Sequence, residues 1–239
     1  NEEPFLDIYS SNKNNDGSYT TPAAVESLNT KYHEGVVSFS PDGKTMYFSR
    51  ESYFDKIFER DSLSRNKFSV LSLYKSTKEL GIWSEGEALS LNSENYSVKN
   101  PAVSSDGKTL YFSSDMAGGL GQFDIYSAPI NEDGSVGEPI NLGQKVNTEG
   151  QEMFPFVSSD DVLYFSSNGH LGLGGMDVFF TKLVDGKVGP VRNVGIPVNG
   201  NADDFAFSID SENGEGFVSS NREGGTGSED IYQVKVLQP

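Results

Sequence analysis

The feature that most constrains this chain is a unit of sequence that recurs along it. The unit is clearest at residues 101–130, where two short β-prone runs flank Ser-Asp-Gly-Lys and a glycine loop precedes a third run. Asp-Gly between β-prone runs is typical of a hairpin turn, because the aspartate bonds its own backbone and glycine accepts a positive φ. The same order recurs at 37–49, 155–183 and 205–236. The chain is therefore a repeat protein of short antiparallel strands.

An aromatic residue in the third run measures the period. It occurs at spacings of 65, 52, 53 and 53 residues, at Tyr9, Tyr74, Tyr126, Phe179 and Tyr232. A period of about fifty residues with several short strands predicts a β-propeller, with one four-stranded antiparallel blade per repeat. A β-sandwich is the alternative, but a sandwich has no reason to repeat its turn, glycine loop and aromatic together. We predict an all-β propeller.

The repeat runs from end to end, so we expect one domain over residues 1–239. The chain begins abruptly in strand-like sequence, as a mature or excised segment does. The expected blades are an incomplete one at 1–32, which starts at its third strand, and others at about 33–97, 98–151, 152–202 and 203–239. The last repeat stops at its third strand, so the segment is expected to be cut at both ends of a closed ring. Propellers commonly close by combining strands from both termini in one blade.

Composition excludes several classes of partner and chemistry. The chain has 35 acidic and 18 basic residues, a net charge of −17, which weighs against nucleic acid and against an anionic membrane surface. It has no cysteine, so disulfides, thiol nucleophiles and thiolate metal sites are excluded. No stretch resembles a signal peptide or a membrane-spanning helix. We expect no nucleic-acid partner and no direct insertion into a membrane.

Three glycine loops, at 116–124, 170–177 and 223–230, resemble phosphate cradles only superficially. Such cradles need a helix N-terminus behind the glycines, whereas here a strand follows. We expect the glycines to allow a sharp reversal. We also expect the aspartate at each strand start to bond backbone amides, at Asp124, Asp177 and Asp230.

Metal and cofactor sites are not expected either. His33 and His170 lie in different repeats without a cluster of further ligands, and one imidazole alone does not hold an ion firmly. The turn at 12–17 has the N-x-N-x-D-G spacing of a calcium loop, but the acid that usually completes such a loop is not at the required distance. A glycine hairpin turn is the favoured interpretation, with calcium as the alternative.

The combination S-x-D-G-K-T-x-Y-F-S with G-G-x-G-x-x-D-I-Y resembles the PD40 (WD40-like) propeller repeat of TolB and of many bacterial cell-envelope proteins. Over essentially the whole chain, FLDIYSS, LNTKYHEGVVSFSPDGKTMYFSR, INLGQKVNTEGQEMFPFVSSD and LYFSSNGHLGLGGMDVF are similar to the propeller of Bacteroidetes OmpA-family proteins. PorE-like components of the type IX secretion system are among these proteins.

The resemblance implies a non-catalytic protein-binding scaffold in the periplasm, associated with the outer membrane. Its partners would be proteins of the cell envelope. Peptidoglycan would be bound only by a separate OmpA-type domain outside this chain. The first and second strands that usually precede such a segment are absent here, and we expect five blades in the intact domain, with six as the alternative.

Strand order determines which loops share a face of a propeller. Loops between second and third strands lie on the same face as the links from each outer strand to the next inner strand, and function usually sits on such loops. The insertion at 52–68 mixes charges with aromatics, which suits an interface, although it could equally fold onto its own blade. We predict a protein-binding surface on this face, with its residues at Tyr32, His33, Glu34, Tyr53, Phe54, Phe58, Tyr96, Glu152 and Met153.

Catalysis is the second function that this face could support. Glycosidases use a pair of carboxylates as acid and base, and an alignment of the inner strands places Glu34 level with Glu152, with Asp203 one position later. That alignment is anchored on Phe39, Val103, Val157 and Phe207. A catalytic pair needs a defined separation and one raised pKa, and the sequence shows neither. We expect solvated acids at the channel mouth and no catalytic residue, with a glycoside hydrolase or lyase as the alternative.

Overall fold

A computed structural model describes residues 6–56, 59–60 and 67–236 of the chain. This part contains 21 β-strands and one short 3-10 helix, Ser52–Asp55. In chain order the strands are β1 (Tyr9–Ser10), β2 (Ala23–Ala24), β3 (Glu34–Phe39), β4 (Thr45–Glu51), β5 (Glu59–Arg60), β6 (Lys67–Phe68), β7 (Leu71–Glu79), β8 (Ile82–Trp83), β9 (Glu87–Ala88), β10 (Val98–Val103), β11 (Thr109–Ser114), β12 (Asp124–Pro129), β13 (Ile140–Asn141), β14 (Glu152–Val157), β15 (Val162–Ser167), β16 (Asp177–Val184), β17 (Lys187–Val188), β18 (Arg192–Asn193), β19 (Asp204–Ile209), β20 (Glu215–Ser220) and β21 (Asp230–Lys235).

The sheets follow the repeat. Blade 1 has the order β3-β4-β7-β8, with β9 also beside β7, and blade 2 has the order β10-β11-β12-β13. Blade 3 has the order β14-β15-β16-β17, with β18 also beside β16, and blade 4 has β19-β20-β21. Strands β1 and β2 form a separate pair, called here the partial blade, and β5 pairs with β6 inside the insertion. All pairings within the blades are antiparallel.

The hairpin turns have the predicted chemistry. In blade 2, Asp106 Oδ1 accepts hydrogen bonds from the Lys108 amide at 3.0 Å and from the Ser104 hydroxyl at 2.6 Å. Gly107 adopts a φ of 74°, a conformation that costs glycine little because it has no Cβ. These bonds favour the charged carboxylate and lower the pKa of Asp106. The prediction of an Asp-Gly hairpin turn is confirmed.

Each inner strand contains a β-bulge. Strand β10 begins at Val98, earlier than the short β-prone run at 102–104 that precedes the Ser-Asp-Gly-Lys turn in the sequence. The register with the second strand shifts near the third residue of every inner strand. This third residue has a positive φ, at Val36, Asn100, Phe154 and Ala206. A bulge bends its strand and redirects the side chains around it.

Neighbouring blades pack face to face and form a propeller-like arrangement. Strand β10 contacts β3 on one side and β14 on the other, and β14 in turn contacts β19, so the inner strands follow one another around an axis. The core lies in the layers between blades. Apolar side chains of blade 1 pack with those of blade 2, those of blade 2 with blade 3, and those of blade 3 with blade 4. The partial blade packs on blade 1 through Ile8 and Leu28.

Aromatic pairs inside the blades explain why an aromatic recurs in the third strand of each repeat. The rings of Phe112 and Tyr126 stack at 5.9 Å between centroids, and those of Phe165 and Phe179 stack at 6.0 Å. An aromatic pair buries a large apolar area and gains about 0.5–1.5 kcal/mol beyond that burial. The repeat in sequence is therefore a repeat in packing.

Candidate partner-binding face

Four asparagines attach the links between blades to the third strands. In each case the side-chain oxygen accepts from, and the side-chain nitrogen donates to, the backbone of the residue before the third-strand aromatic. We call these four residues the link asparagines: they are Asn29 on Ile8, Asn92 on Leu73, Asn147 on Ile125 and Asn199 on Val178. Sequence reasoning missed them, although each lies about twenty residues after its aromatic.

The links that these asparagines fix run against the loops between second and third strands. The Gln122 amide donates to the Gly150 carbonyl at 2.8 Å, and the Glu152 amide donates to the Phe123 carbonyl at 2.7 Å. A Cβ at Gly121 would overlap the carbonyl oxygen of Gly150, so only glycine permits this approach. The predicted sharing of one face by the two sets of loops is confirmed here.

The aspartates at the third-strand starts hold the glycine loops. Asp124 accepts hydrogen bonds from the amides of Leu120 at 2.6 Å and Gly121 at 3.0 Å. Asp177 accepts from Leu173 and Gly174 in the same way, and Asp230 accepts from Thr226 and Gly227. The expectation that these aspartates bond backbone amides is confirmed. The loops are ordered by their own chain, so their amides do not form a phosphate cradle.

Glu34 and Glu152 require a correction, because both are buried rather than solvated. Glu34 is 1% exposed, and its Oε1 accepts from Arg50 Nε at 2.9 Å. Glu152 is 0% exposed and accepts from the Thr148 amide, the Thr148 hydroxyl and the Ser167 hydroxyl at 2.6–2.8 Å. Neither carboxylate can reach a partner protein or a substrate. Each holds a link against an inner hairpin.

The third acid of the alignment is also displaced. The register pairs Glu34 with Arg50, Glu152 with Ser167 and Asp204 with Ser220, so Asp204 rather than Asp203 takes the equivalent position. Asp204 is 0% exposed and accepts from Arg222 Nη2 at 2.5 Å. The sequence alignment had matched Phe207 with Val157. In the structure Val157 is the last residue of β14 and Ile209 is the last residue of β19, so the alignment was wrong by two residues in blade 4. The acids of the alignment therefore form buried structural contacts.

A cavity of about 420 Å³ opens on the same face between blades 3 and 4. Its floor is apolar and includes Met153, Phe154 and Phe205, and the rings of Phe154 and Phe205 lie 5.1 Å apart. Two consecutive residues of β14 can line one cavity because the bulge at Phe154 redirects the strand. Of the predicted binding residues, Met153 is thus placed in a cavity.

Carboxylates border this cavity. Asp203 and Glu229 line it together with the apolar floor. Asp203 is held in place, since its Oδ1 accepts from the Met176 amide at 2.8 Å and its Oδ2 accepts from the Asn221 side chain at 2.9 Å. Glu229 is exposed. An apolar floor with an acidic border suits an apolar side chain that is flanked by cationic groups.

The second residue of the inner strand β10 is a lysine, Lys99. Lys99 is equivalent in register to Met153 and Phe205. Its Nζ lies 3.6 Å from the centroid of the Phe123 ring, close enough for a cation–π interaction. Burial lowers the pKa of Lys99, because desolvation disfavours the charged ammonium.

The insertion supplies part of the face but is partly engaged with its own blade. Ser52–Asp55 forms the 3-10 helix. The Tyr53 ring stacks on Tyr32 at 6.0 Å, and Phe54 covers the buried guanidinium of Arg50 at 4.3 Å. Phe58 lies outside the described residues.

Tyr96 and His33 take structural positions. Tyr96 packs against the core between blades 1 and 2, and its hydroxyl donates to the Leu91 carbonyl at 3.4 Å. His33 Nδ1 accepts a hydrogen bond from the Leu6 amide at 3.0 Å. The structure brings Tyr32 next to Tyr53, whereas Met153 lies on β14 of blade 3.

In the described residues, no three His, Asp or Glu side chains lie close enough together to hold a metal ion. In the turn at 12–17, Asp16 Oδ1 accepts from the Ser18 amide at 3.0 Å and from the Ser18 hydroxyl at 2.6 Å. His170 bonds the Val146 carbonyl at 2.8 Å. No helix in this part of the chain is long and apolar enough to cross a membrane.

Comparison with known proteins identifies structural relatives only. No family model matches the sequence, and no curated protein matches it. A puromycin hydrolase matches with a TM-score of 0.52 and 10% identity, over 96% of this chain and 40% of that one. The tricorn protease matches with a TM-score of 0.51 and 11% identity, over 90% of this chain and 22% of that one.

At these identities the similarity shows the fold alone, and this chain spans less than half of either protein. A putative TolB from Agrobacterium tumefaciens is 19% identical over 84% of this chain and 73% of that one, with a TM-score of 0.45, which is too low to define a shared fold. The chain is an all-β protein with a propeller-like arrangement of four blades.

Proposed function

We propose that this chain is a non-catalytic protein-binding scaffold of the bacterial periplasm. It would be the propeller of an OmpA-family envelope protein, in which a separate domain binds peptidoglycan. That protein would be associated with the outer membrane and would be a component of the type IX secretion system. The repeat motifs that resemble this family over the whole chain support the proposed setting. The cavity floored by Met153, Phe154 and Phe205 is the observation that carries the binding role.

The partner is expected to be a protein segment with an apolar side chain between lysines or arginines. The apolar group would enter the cavity and the cations would face Asp203 and Glu229. The chain's net charge of −17 would attract such a segment from a distance, and this attraction should weaken in salt. A carboxylate substrate or nucleic acid would be repelled by the same charges.

Catalysis at the aligned acids is not proposed, because Glu34, Glu152 and Asp204 are buried and bonded within the chain. The scaffold role needs only the rigid face and its cavity.

The proposal is tested by capture from a bacterial envelope extract with this chain as bait, beside the variants Met153→Ser and Glu229→Lys. Both variants should lose an envelope protein that the parent captures, and the parent's capture should decrease between about 0.05 and 0.5 M salt. Glu132→Lys is the matched control, because Glu132 is also exposed and lies in the turn between the third and fourth strands of blade 2. Equal capture by all variants, or glycan hydrolysis in the same extract, would refute the proposal.

A further inference from the structure

A second cavity, of about 280 Å³, lies between blades 2 and 3 and is called here the turn cavity. It lies where the turns between first and second strands meet a turn between third and fourth strands. In an antiparallel blade these turns are at the end opposite the glycine loops, so the turn cavity and the Met153 cavity are on opposite faces. Its lining includes Ser105, Asp106, Tyr111, Asp161, Leu183 and Asp185.

Three of these lining residues are aspartates that carry no counter-charge. None of Asp106, Asp161 and Asp185 belongs to an ion pair of the described residues, and all three are exposed. The turn bonds described above use Asp106 Oδ1, and Asp161 Oδ1 accepts from the Ser105 hydroxyl. The Oδ2 atoms of these two aspartates accept no hydrogen bond from the same residues. The turn cavity therefore presents free carboxylate oxygens.

Asp161 occupies a backbone position that is glycine in the equivalent turns. Its amide donates to the carbonyl of the serine three residues earlier, as the amides of Gly43 and Gly107 do. The φ of Asp161 is 61°, against 65° at Gly43 and 74° at Gly107. A side chain at positive φ is uncommon, although aspartate tolerates this conformation better than most residues. The exchange adds a carboxylate to the cavity wall, where glycine has no side chain.

The Tyr111 hydroxyl is a buried polar group without a hydrogen-bond partner in the described residues. Tyr111 is 3% exposed and belongs, with Leu183, to the core between blades 2 and 3. Burial raises the pKa of Tyr111, and the charges of Asp106 and Asp161 raise it further. The hydroxyl is thus directed toward the acids that line the turn cavity. A buried hydroxyl that lacks a partner costs free energy, which a bound donor would recover.

We propose that the turn cavity binds an alkylammonium group, carried by a lysine side chain or by a free diamine. An ammonium has three N–H donors, which would meet Asp106 Oδ2, Asp161 Oδ2 and the Tyr111 hydroxyl. The alkyl stem would pack on Leu183. The volume of 280 Å³ is just below the range of about 300–1,000 Å³ of drug-sized sites, which suits a ligand this small.

The charge of the lining excludes other classes of ligand. A carboxylate or a phosphate would be repelled by the three aspartates. A directly coordinated metal ion does not fit, because no three His, Asp or Glu side chains within the described ranges lie close enough together to hold one. The inference does not depend on the partner proposed for the Met153 cavity, which opens on the opposite face.

NMR titration of the whole chain with n-butylammonium tests the proposal. The signals of Leu183 and Tyr111 should shift. n-Butanol is the ligand control, since it has the same stem without the charge, and it should leave these signals unchanged. Diaminobutane and a lysine with both backbone ends blocked are then compared. The tighter of the two identifies the source of the ammonium group, and binding of either supports the site.

Two variants separate binding from folding. Asp161→Gly restores the residue of the equivalent turns and should fold as the parent does, while n-butylammonium should bind about tenfold or more weakly. Tyr111→Phe removes a hydroxyl without a partner, so its denaturation midpoint should not decrease, while binding should weaken by about threefold or more. Asp42→Asn is the matched control, because Asp42 makes the same turn bonds in blade 1, and it should leave binding unchanged.

Four results would overturn the proposal. They are equal shifts with n-butylammonium and n-butanol, full binding by Asp161→Gly, an equal loss of binding in Asp42→Asn, and tighter binding of Ca²⁺ in the turn cavity than of every ammonium probe. The third result would show that only the net charge of the chain matters.

Discussion

At the scale of single residues, the first position of the inner strand is stabilised in three different ways. The first residue of the inner strand is Glu34 paired with Arg50 in blade 1, Val98 in the core in blade 2, and Glu152 bonded to hydroxyls and an amide in blade 3. A buried carboxylate is tolerated where charge or hydrogen bonds replace water. The prediction that these glutamates are solvated at the channel mouth was therefore wrong. The sequence alone does not distinguish a carboxylate that bonds a link between blades from one that faces the channel.

The two glutamates should differ in what a neutral replacement costs. Glu34→Gln removes the counter-charge of Arg50, whose side chain is 1% exposed, and breaking a buried ion pair costs about 3–5 kcal/mol. In Glu152→Gln an NH2 group replaces one carboxylate oxygen, so a donor faces the donors of Thr148 and Ser167 that this oxygen accepted from. The free energy of unfolding should decrease by about 1–3 kcal/mol. Urea unfolding of the three proteins measures the difference. A smaller loss of unfolding free energy in Glu34→Gln than in Glu152→Gln would contradict this assignment.

At the scale of elements, a blade is attached to the next one by backbone hydrogen bonds as well as by apolar packing. Each link asparagine pairs with a third strand at the point where the outer strand has ended. Asn147 is 2% exposed, and its bonds to the Ile125 amide and carbonyl are 2.8 and 2.9 Å long. After Asn147 the link contacts the glycine loop of blade 2 through backbone hydrogen bonds. These bonds hold the loops of the face on which the Met153 cavity opens.

Asn147→Ala should lower the free energy of unfolding by about 2–4 kcal/mol, because two buried backbone groups of Ile125 lose their partner. The matched control is Asn131→Ala, since Asn131 bonds Ser135 in an exposed turn. That variant should change stability by about 0.5 kcal/mol or less. Chemical denaturation of both variants gives the answer, and equal losses would show that the link asparagines do not hold the blades.

At the scale of the whole molecule, the four blades are not equivalent in burial. Blade 1 packs between the partial blade and blade 2, and blades 2 and 3 have neighbours on both faces. In the described residues, blade 4 packs on blade 3 through one face, and the residues of β21 alternate between half-buried and exposed. In a protein whose units contact only their neighbours, stability is expected to decrease toward the uncovered end.

Hydrogen exchange should therefore be faster in β21 than in β12, although the two are equivalent strands. Peptides covering 230–235 should exchange at least about tenfold faster than peptides covering 124–129, because local opening is cheapest where burial is least. Strand β16 serves as a second internal reference. Equal protection of β12 and β21 would mean that the uncovered face is closed by some other contact.

Much of this fold could be predicted from the sequence. The recurring Asp-Gly turn, glycine loop and aromatic predicted the antiparallel strands, and the structure has a third strand around each of the five aromatics. These are local signals, since turn chemistry and alternation act over a few residues. The start of β10 was missed because a bulge interrupts the alternation. Phe54 was predicted as a binding residue, and the sequence did not show that its ring packs over the Arg50 guanidinium.

The sequence by itself determined the repeat and its hairpins, because these follow from residues close together along the chain. Tertiary structure decided which carboxylates are buried and that Met153 and Phe205 share a cavity. The cavity depends on how two blades meet, because Met153 and Phe205 lie in different repeats. The burial of Glu34 and Glu152 depends on Arg50 and Ser167, which are 16 and 15 residues away and are brought beside them by the antiparallel pairing of the inner hairpin. The alternation of apolar and polar residues along one strand encodes neither contact.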